Sequence, residues 1–300
     1  IRNIINLNIE KNRYLRKEQK MAHEIVPAAE KILDKEFAVL NKGFVRLVDY
    51  MGGDERIVQA ARVSYGKGTK TKHQDRGLIN YLMRNEHTSP FEQVIMTFHC
   101  KMPIFVARQW VRHRTARLNE ISGRYSVMEN EFYVPDREQI RFQSKDNKQG
   151  RNQGEEVPPE IQQKILDIIK KGYSQAYNQY NEMLEENIAR ELARINLPLS
   201  LYTQWYWQID LHNLFHFLKL RMDPHAQWEI RQYARVMAEM TGKVAPMAYE
   251  AFETHLLNSV KFSGIEMRAL AQVLKGEKYS LDPAAEADFK RKLEKIRLME

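Results

Sequence analysis

The sequence predicts an α+β fold in which a mixed or antiparallel sheet is flanked by helices, with helix the larger share and one catalytic domain. Segments with helical spacing outnumber those that strictly alternate, and the alternating ones do not recur as serial βαβ units. Neither GxGxxG nor GxxxxGK(S/T) occurs, so no Rossmann fingerprint or P-loop is present. The 300 residues, 43% of them hydrophobic, suffice to bury a core.

Residues 1–42 read as a charged, helical lead. GFVRLVDYM (43–51) follows Gly43 and is rich in Val, Phe and Tyr, which predicts a strand. Asp54 is placed to cap a short helix through Arg62. Leu78, Ile79 and Leu82 give DRGLINYLMRNEH helical spacing, and Pro90 bars the residue before it from the α region, so that helix stops before Thr88-Ser89-Pro90. Over 93–101, Val94, Met96, Phe98 and Cys100 alternate with polar residues, the mark of a strand with one buried face. Pro103 suits the first position of the next helix, PIFVARQWVRHR, because its missing amide has no helical partner there.

The stretch at about 136–158 is charged and glutamine-rich with little apolar content, and reads as a mobile loop. LSLYTQWYWQ, from Leu199, is a second alternating, aromatic-rich segment. Asp210 then caps a helix over 210–221 that buries Leu211, Leu214, Phe215 and Leu218. Helices at about 225–241 and 246–257 complete a catalytic domain over 43–258, and 259–300 reads as a helical extension.

With 47 Lys+Arg against 39 Asp+Glu, the chain carries a formal charge of +8, which points to an anionic partner: nucleotides, phosphorylated cofactors or nucleic acid. Mean hydropathy is −0.60 and no apolar run approaches the roughly 20 residues of a spanning helix, so no membrane role is expected. The first 20 residues lack the uninterrupted apolar stretch of a signal peptide. The lone Cys100 allows neither an internal disulfide nor a multi-thiolate metal site, which fits a cytoplasmic setting. On the buried face of a strand it is a packing residue rather than a nucleophile.

Chemistry concentrates in RHRTARLNEISGRYS (112–126), where a helix gives way to a loop. Its arginine forks suit phosphate, Ser122 and Gly123 add hydroxyl and backbone donors, and Trp110, Val111, Ile121 and Tyr125 set those charges among apolar neighbours. A solvated basic surface is the alternative. His212 and His216 share a helix face one turn apart in HNLFH, the two-histidine spacing of a zinc protease, but Asn213 stands where the general-base glutamate belongs. No metal is expected. Glu120 replaces the first glycine of GxSxG, so Ser122 is not on a nucleophile elbow.

Arg112-His113-Arg114, seven residues, then Ser122 resembles the hallmark of the flavin-dependent thymidylate synthases. HTSPFE (87–92), ARELARINLPLSLYTQWYW (189–207) and LRMDPHAQWEIRQYA (220–234) resemble that family's other blocks in the same order, over roughly residues 43–255. The resemblance implies conversion of dUMP to dTMP, with 5,10-methylenetetrahydrofolate as carbon donor, NADPH as reductant and FAD as hydride carrier. No cysteine nucleophile is needed. It further implies a homotetramer with active sites at its interfaces, and no nucleic-acid partner. For dUMP it implies Gln109, Trp110, Val111, Arg112, Glu120, Ile121, Ser122, Gly123, Arg124 and Arg194, with Ser122, Gly123 and Arg124 from another subunit and Arg221 as the catalytic residue against the uracil ring. For FAD it implies Ser89, Arg112, His113, Arg114, Glu120, Asp210, Leu211, His212 and His216, with His87 beside flavin and folate. Asp210, His212 and His216 depart from the residues common in relatives at those places. A basic nucleic-acid-binding helical protein is the competing reading of the charge.

Overall fold

The computed structural model describes residues 24–63, 72–145 and 150–297, in two compact units that divide after Ala251. The first is built on a five-stranded, wholly antiparallel sheet in the order β1 (Glu36–Val39), β2 (Gly43–Met51), β3 (Ile95–Pro103), β7 (Tyr202–Asp210), β4 (Arg117–Glu120). Alternation decides which face is buried. Met96, Phe98 and Cys100 of β3 lie opposite Ile209, Trp207 and Trp205 of β7, and Val45 and Leu47 of β2 pair with Cys100 and Phe98; all of these side chains are buried. The thiol of Cys100 is wholly enclosed, and burial pushes its pKa well up.

Helices cover this face. They are α4 (Ile104–Trp110), α7 (Leu211–Arg221) and α8 (Trp228–Val244). Trp110 ties them to the sheet: its ring meets Trp205 and Trp207 edge-on with centroids 5.5 and 5.4 Å away, and stacks on Phe217 at 5.0 Å. The Tyr233 hydroxyl of α8 donates to Lys101 O at 2.9 Å and passes so close to Gly43 that a Cβ there would lie 2.1 Å from it. The opposite sheet face is half-exposed and polar. His99 contacts Arg46 Nη2 and Gln204 Oε1, each at 2.9 Å, and stacks on Tyr206 at 4.8 Å.

The predicted strand over 43–51 is present with those bounds, as is the capped helix ending at Arg221. Other elements differ. Within the expected helical lead, Glu36–Val39 is a strand, because it pairs along β2; 1–23 lie outside the described residues. Asp54 begins α2 (Asp54–Arg62) but does not cap it: its carboxylate accepts from Met247 N (2.8 Å) and Ala248 N (2.9 Å), at the start of α9 (Pro246–Phe252). The next helix is α3 (Lys72–Arg84). Pro103 ends β3 in an extended conformation as the cap residue of α4, which stops at Trp110 rather than running to Arg114. The run beyond it contains β4, an edge strand exposed along its length. The stretch expected to be a loop holds an antiparallel pair, β5 (Arg141–Gln143) and β6 (Arg151–Glu156), with 146–149 outside the described residues. It leads into the 27-residue α5 (Pro159–Glu185), followed by the single turn α6 (Arg190–Ala193). The second unit contains α10 (Gly264–Leu274) and α11 (Pro283–Arg297), joined by the Lys292–Glu266 ion pair at 2.6 Å. Among the described residues, no helix is long and apolar enough to cross a membrane.

Burial pushes the Asp54 carboxyl up to about 6 from an ordinary 3.8, against the lowering effect of the two amides. The native chain therefore holds a proton that the unfolded chain releases between about pH 4 and 6. The stability tied to this group is complete below that window and falls as pH rises through it, by at most about 1.4 kcal/mol per pH unit. Urea unfolding of Asp54→Asn across pH 4–7 is expected to lack this downward slope; parallel profiles for the two proteins would refute the assignment.

Candidate active site

The Trp110 indole is locked in the core, so the chain leaving α4 emerges at a fixed point. Val111 caps the helix, His113 N donates to Trp110 O at 3.0 Å, and the turn carries Arg112, His113 and Arg114 to the surface. The end of α7 arrives opposite. A cleft of about 520 Å3 between them is lined by Arg108, Gln109, Arg112, Arg114 and Arg221, and is continued by His113, Asn213, His216 and Leu220.

Arg221 is the fixed member. Its Nε donates to His113 Nε2 at 3.0 Å and its Nη2 to Gln109 O at 3.3 Å, leaving its other N–H donors for a ligand. His113 accepts through Nε2, so it is neutral with its proton on Nδ1. Burial, with Arg221 and His216 nearby, holds its pKa down at about 4. Burial and the neighbouring Arg112 lower Arg221 as well. Among the described residues, none of Arg108, Arg112, Arg114 and Arg221 has a carboxylate within ion-pair distance. Guanidiniums crowded together without counter-charge fit an anionic ligand, a phosphate or a carboxylate.

The structure thus brings together Gln109, Arg112, His113, Arg114, His216 and Arg221. A second group stands apart. Ile121 N is bonded to Gln204 O at 2.9 Å, and the turn after it has Ser122 Oγ accepting from Arg124 N at 3.2 Å. A Cβ on Gly123 would lie 3.1 Å from Arg194 Cδ, and Arg124 pairs with Glu191 at 3.0 Å. Ile209 lines the first cleft while Gln204 anchors the second group, and the five residue steps of β7 from one to the other span roughly 16 Å. Glu120, beside the second group, accepts from Thr203 Oγ1 at 2.5 Å.

The remaining predicted residues lie toward the start of α7. Asp210 spends both carboxylate oxygens on its own helix, accepting from Asn213 N at 2.9 Å and Asn213 Nδ2 at 2.7 Å. Leu211 is buried and its amide donates to Val94 O at 2.8 Å. His212 is half-buried, and Phe91 packs edge-on against Phe215 at 6.4 Å, drawing the loop that carries His87 and Ser89 toward this helix. The His87 ring meets Tyr81 edge-on at 5.7 Å. Trp110 is enclosed in the core and offers no side-chain contact to the cleft, whereas Val111 is exposed.

Sequence reasoning missed Arg108 and Gln227. Arg108 sits one helical turn before Arg112, a spacing that could have been read. Gln227 accepts from Gln109 Nε2, a pairing across 118 residues that no local pattern reveals. Replacing Arg221 by Ala removes a positive charge beside His113 and opens its surroundings to water. Both changes should raise the His113 pKa from about 4 toward 6.5, as read by NMR titration; an unmoved pKa would contradict this electrostatic account.

Residues 46–247 match the sequence family described as "Thymidylate synthase complementing protein". The chain is similar to a flavin-dependent thymidylate synthase of Treponema denticola, 60% identical over 261 residues, covering 87% of this chain and 98% of that one. Similar proteins of the same description occur in Treponema pallidum (57% identical, 91% of this chain and 89% of that one) and Thermus thermophilus (58%, 80% and 87%). Among solved structures it resembles the UMP/dUMP methylase PolB from Streptomyces cacaoi bound with 5-Br dUMP, with TM-score 0.66 and 36% identity over 73% of this chain and 97% of that chain.

Proposed function

The chain belongs to the flavin-dependent thymidylate synthase family, and from that premise we propose how its own residues carry the reductive methylation of dUMP to dTMP. The observation that bears the most weight is the cleft of guanidiniums without carboxylate partners, held in place by His113 and Gln109.

FAD is the family's cofactor, and when bound it supplies the hydride carrier between the reductant NADPH and the one-carbon unit of 5,10-methylenetetrahydrofolate. The donor set fits such a group: Arg112 and Arg114 for its phosphates, and His113, His212 and His216 with Ser89 as hydrogen-bonding side chains. The acidity of Asp210 is no obstacle, because its carboxylate is turned into its own helix start. One oxygen of Glu120 is taken by the Thr203 hydroxyl, and His87 serves the folate side of the site.

In this reading Arg112 and Gln109 hold dUMP from one chain, and Ser122, Gly123, Arg124 and Arg194 close on it from another. Arg221 acts on the uracil ring. A positive charge fixed there favours ionisation at N3 and makes C5 more nucleophilic. Neutral His113 accepts from Arg221 without adding a competing charge, so the guanidinium stays aimed while its remaining donors face the substrate.

The roughly 16 Å of β7 between the two halves of the cradle supports a site shared between chains in a homotetramer. So does the apolar surface exposed around it at Val111, Leu118, Tyr125, Ile195 and Leu199. The catalytic domain of this reading is 43–258 together with β1, whose pairing with β2 makes it part of the same sheet; 259–300 is an accessory segment, and the setting is cytoplasmic, which the single buried thiol supports.

The visible spectrum of the purified protein should be that of a flavin and should change on addition of dUMP; a protein that fails to retain supplied FAD overturns the reading. Arg221→Ala is expected to abolish dTMP formation while flavin stays bound, and full turnover in that variant would remove its assigned role. Arg112→Ala and Arg124→Ala should each be inactive alone. Chains of the two mixed 1:1 through reversible dissociation should regain roughly a quarter of wild-type turnover if each site draws on two chains. No recovery would confine the site to one chain.

A further inference from the structure

A second cleft, of about 860 Å3, opens between the β5–β6 pair and the start of α8. Arg141, Arg151, Arg231 and Arg235 line it together with Trp228. Arg151 is engaged by the buried Glu229, which also accepts from the Tyr133 hydroxyl at 2.9 Å, and Arg141 lies 3.7 Å from Glu156. Arg231 and Arg235 have no such partner. Neither has a carboxylate within ion-pair distance among the described residues, and the Nε of Arg231 is buried without a hydrogen-bond acceptor. Asp223 and Glu229 act on Arg231 only from beyond ion-pair distance, and leaving its buried N–H unpaired between Arg151 and Arg235 is costly unless an anion completes the site.

The cleft adjoins the first one. Gln227, on its wall, is hydrogen-bonded to Gln109 on the wall of the Arg221 cleft. Pro224 is three residues from Arg221, at most about 11 Å of extended chain. A ligand with its reacting end at the first cleft and an anionic far end could therefore engage both. The far wall combines guanidinium forks with one flat, half-buried indole, the pairing suited to a phosphate attached to a purine nucleoside.

We propose that this second cleft binds the phosphorylated adenosine end of the nicotinamide reductant, with Arg231 and Arg235 on its phosphate and Trp228 as the apolar wall beside them. The inference rests on the reading of the chain as an NADPH-oxidising thymidylate synthase. It adds where discrimination between a 2′-phosphorylated and an unphosphorylated reductant arises.

The direct test is calorimetric titration of the FAD-loaded protein with adenosine 2′,5′-bisphosphate, for wild type, Arg231→Gln/Arg235→Gln and Arg235→Glu. The last variant changes only an exposed side chain and guards against misfolding of the first. Probe affinity should fall about tenfold or more in both variants, the loss of one or two charge-assisted hydrogen bonds. KM for NADPH should rise in parallel, with the change in KM rather than kcat and with KM for NADH moved far less. Unaltered probe affinity and unaltered KM for NADPH in both variants would overturn the proposal. So would a rise confined to KM for the folate, which would assign the arginines to that molecule's glutamate carboxylates. If the flavin spectrum of the wild type itself ignores dUMP, the functional reading fails, independently of either variant.

Discussion

The position of Trp110 is the constraint on which the rest of the site depends. Its indole is buried among Trp205, Trp207, Phe217 and Tyr233, which belong to β7, α7 and α8. One side chain therefore fixes the end of α4 relative to every element that borders the cleft. Close-packed aromatic contacts of this kind tolerate little displacement, so the turn that follows inherits the rigidity of the core. Arg112, His113 and Arg114 stand only two to four residues beyond it. The charged turn is exposed, yet its origin does not move.

The second constraint is electrostatic. Four guanidiniums share one cleft, and the histidine among them is neutral because burial and two neighbours disfavour its charged form. A protonated His113 could not accept from Arg221, and that guanidinium would lose the contact that orients it. The low histidine pKa and the fixed arginine are thus one arrangement seen from two sides. Asp210 follows similar logic. An acid near an anion-binding site would be repulsive, and the capping geometry removes it by directing both oxygens to Asn213.

Local periodicity made the core strands legible. β2 could be bounded to the residue, and Met96, Phe98 and Cys100 on the buried face of β3 could be named, because a single buried face imposes alternation; that strand runs two residues later than expected, over Ile95–Pro103, and buries Met102 as well. Where the deciding interaction is distant, the sequence misled. Asp54 has the composition of a cap for the helix it begins, but its partners lie 193 and 194 residues away. Arg117–Glu120 has only polar or exposed side chains because it is an edge strand, so no alternation marks it. The β5–β6 pair lacks the apolar content of a strand for the same reason. For the candidate site, the RHR run, Arg221 and His216 were legible from motif and spacing, and the resemblance already set Ser122, Gly123 and Arg124 on another subunit; the separation of the two groups along β7 required the fold.

The enclosure of Cys100 has a practical consequence. Its sulfur sits in the middle of the central strand pair, opposite Val45 on one side and Trp205 on the other, and no other thiol exists in the chain. A reagent can reach it only when those strands part. The rate at which an alkylating agent labels the protein is then a clock for the opening of the sheet, with no engineered reporter and no background from surface thiols.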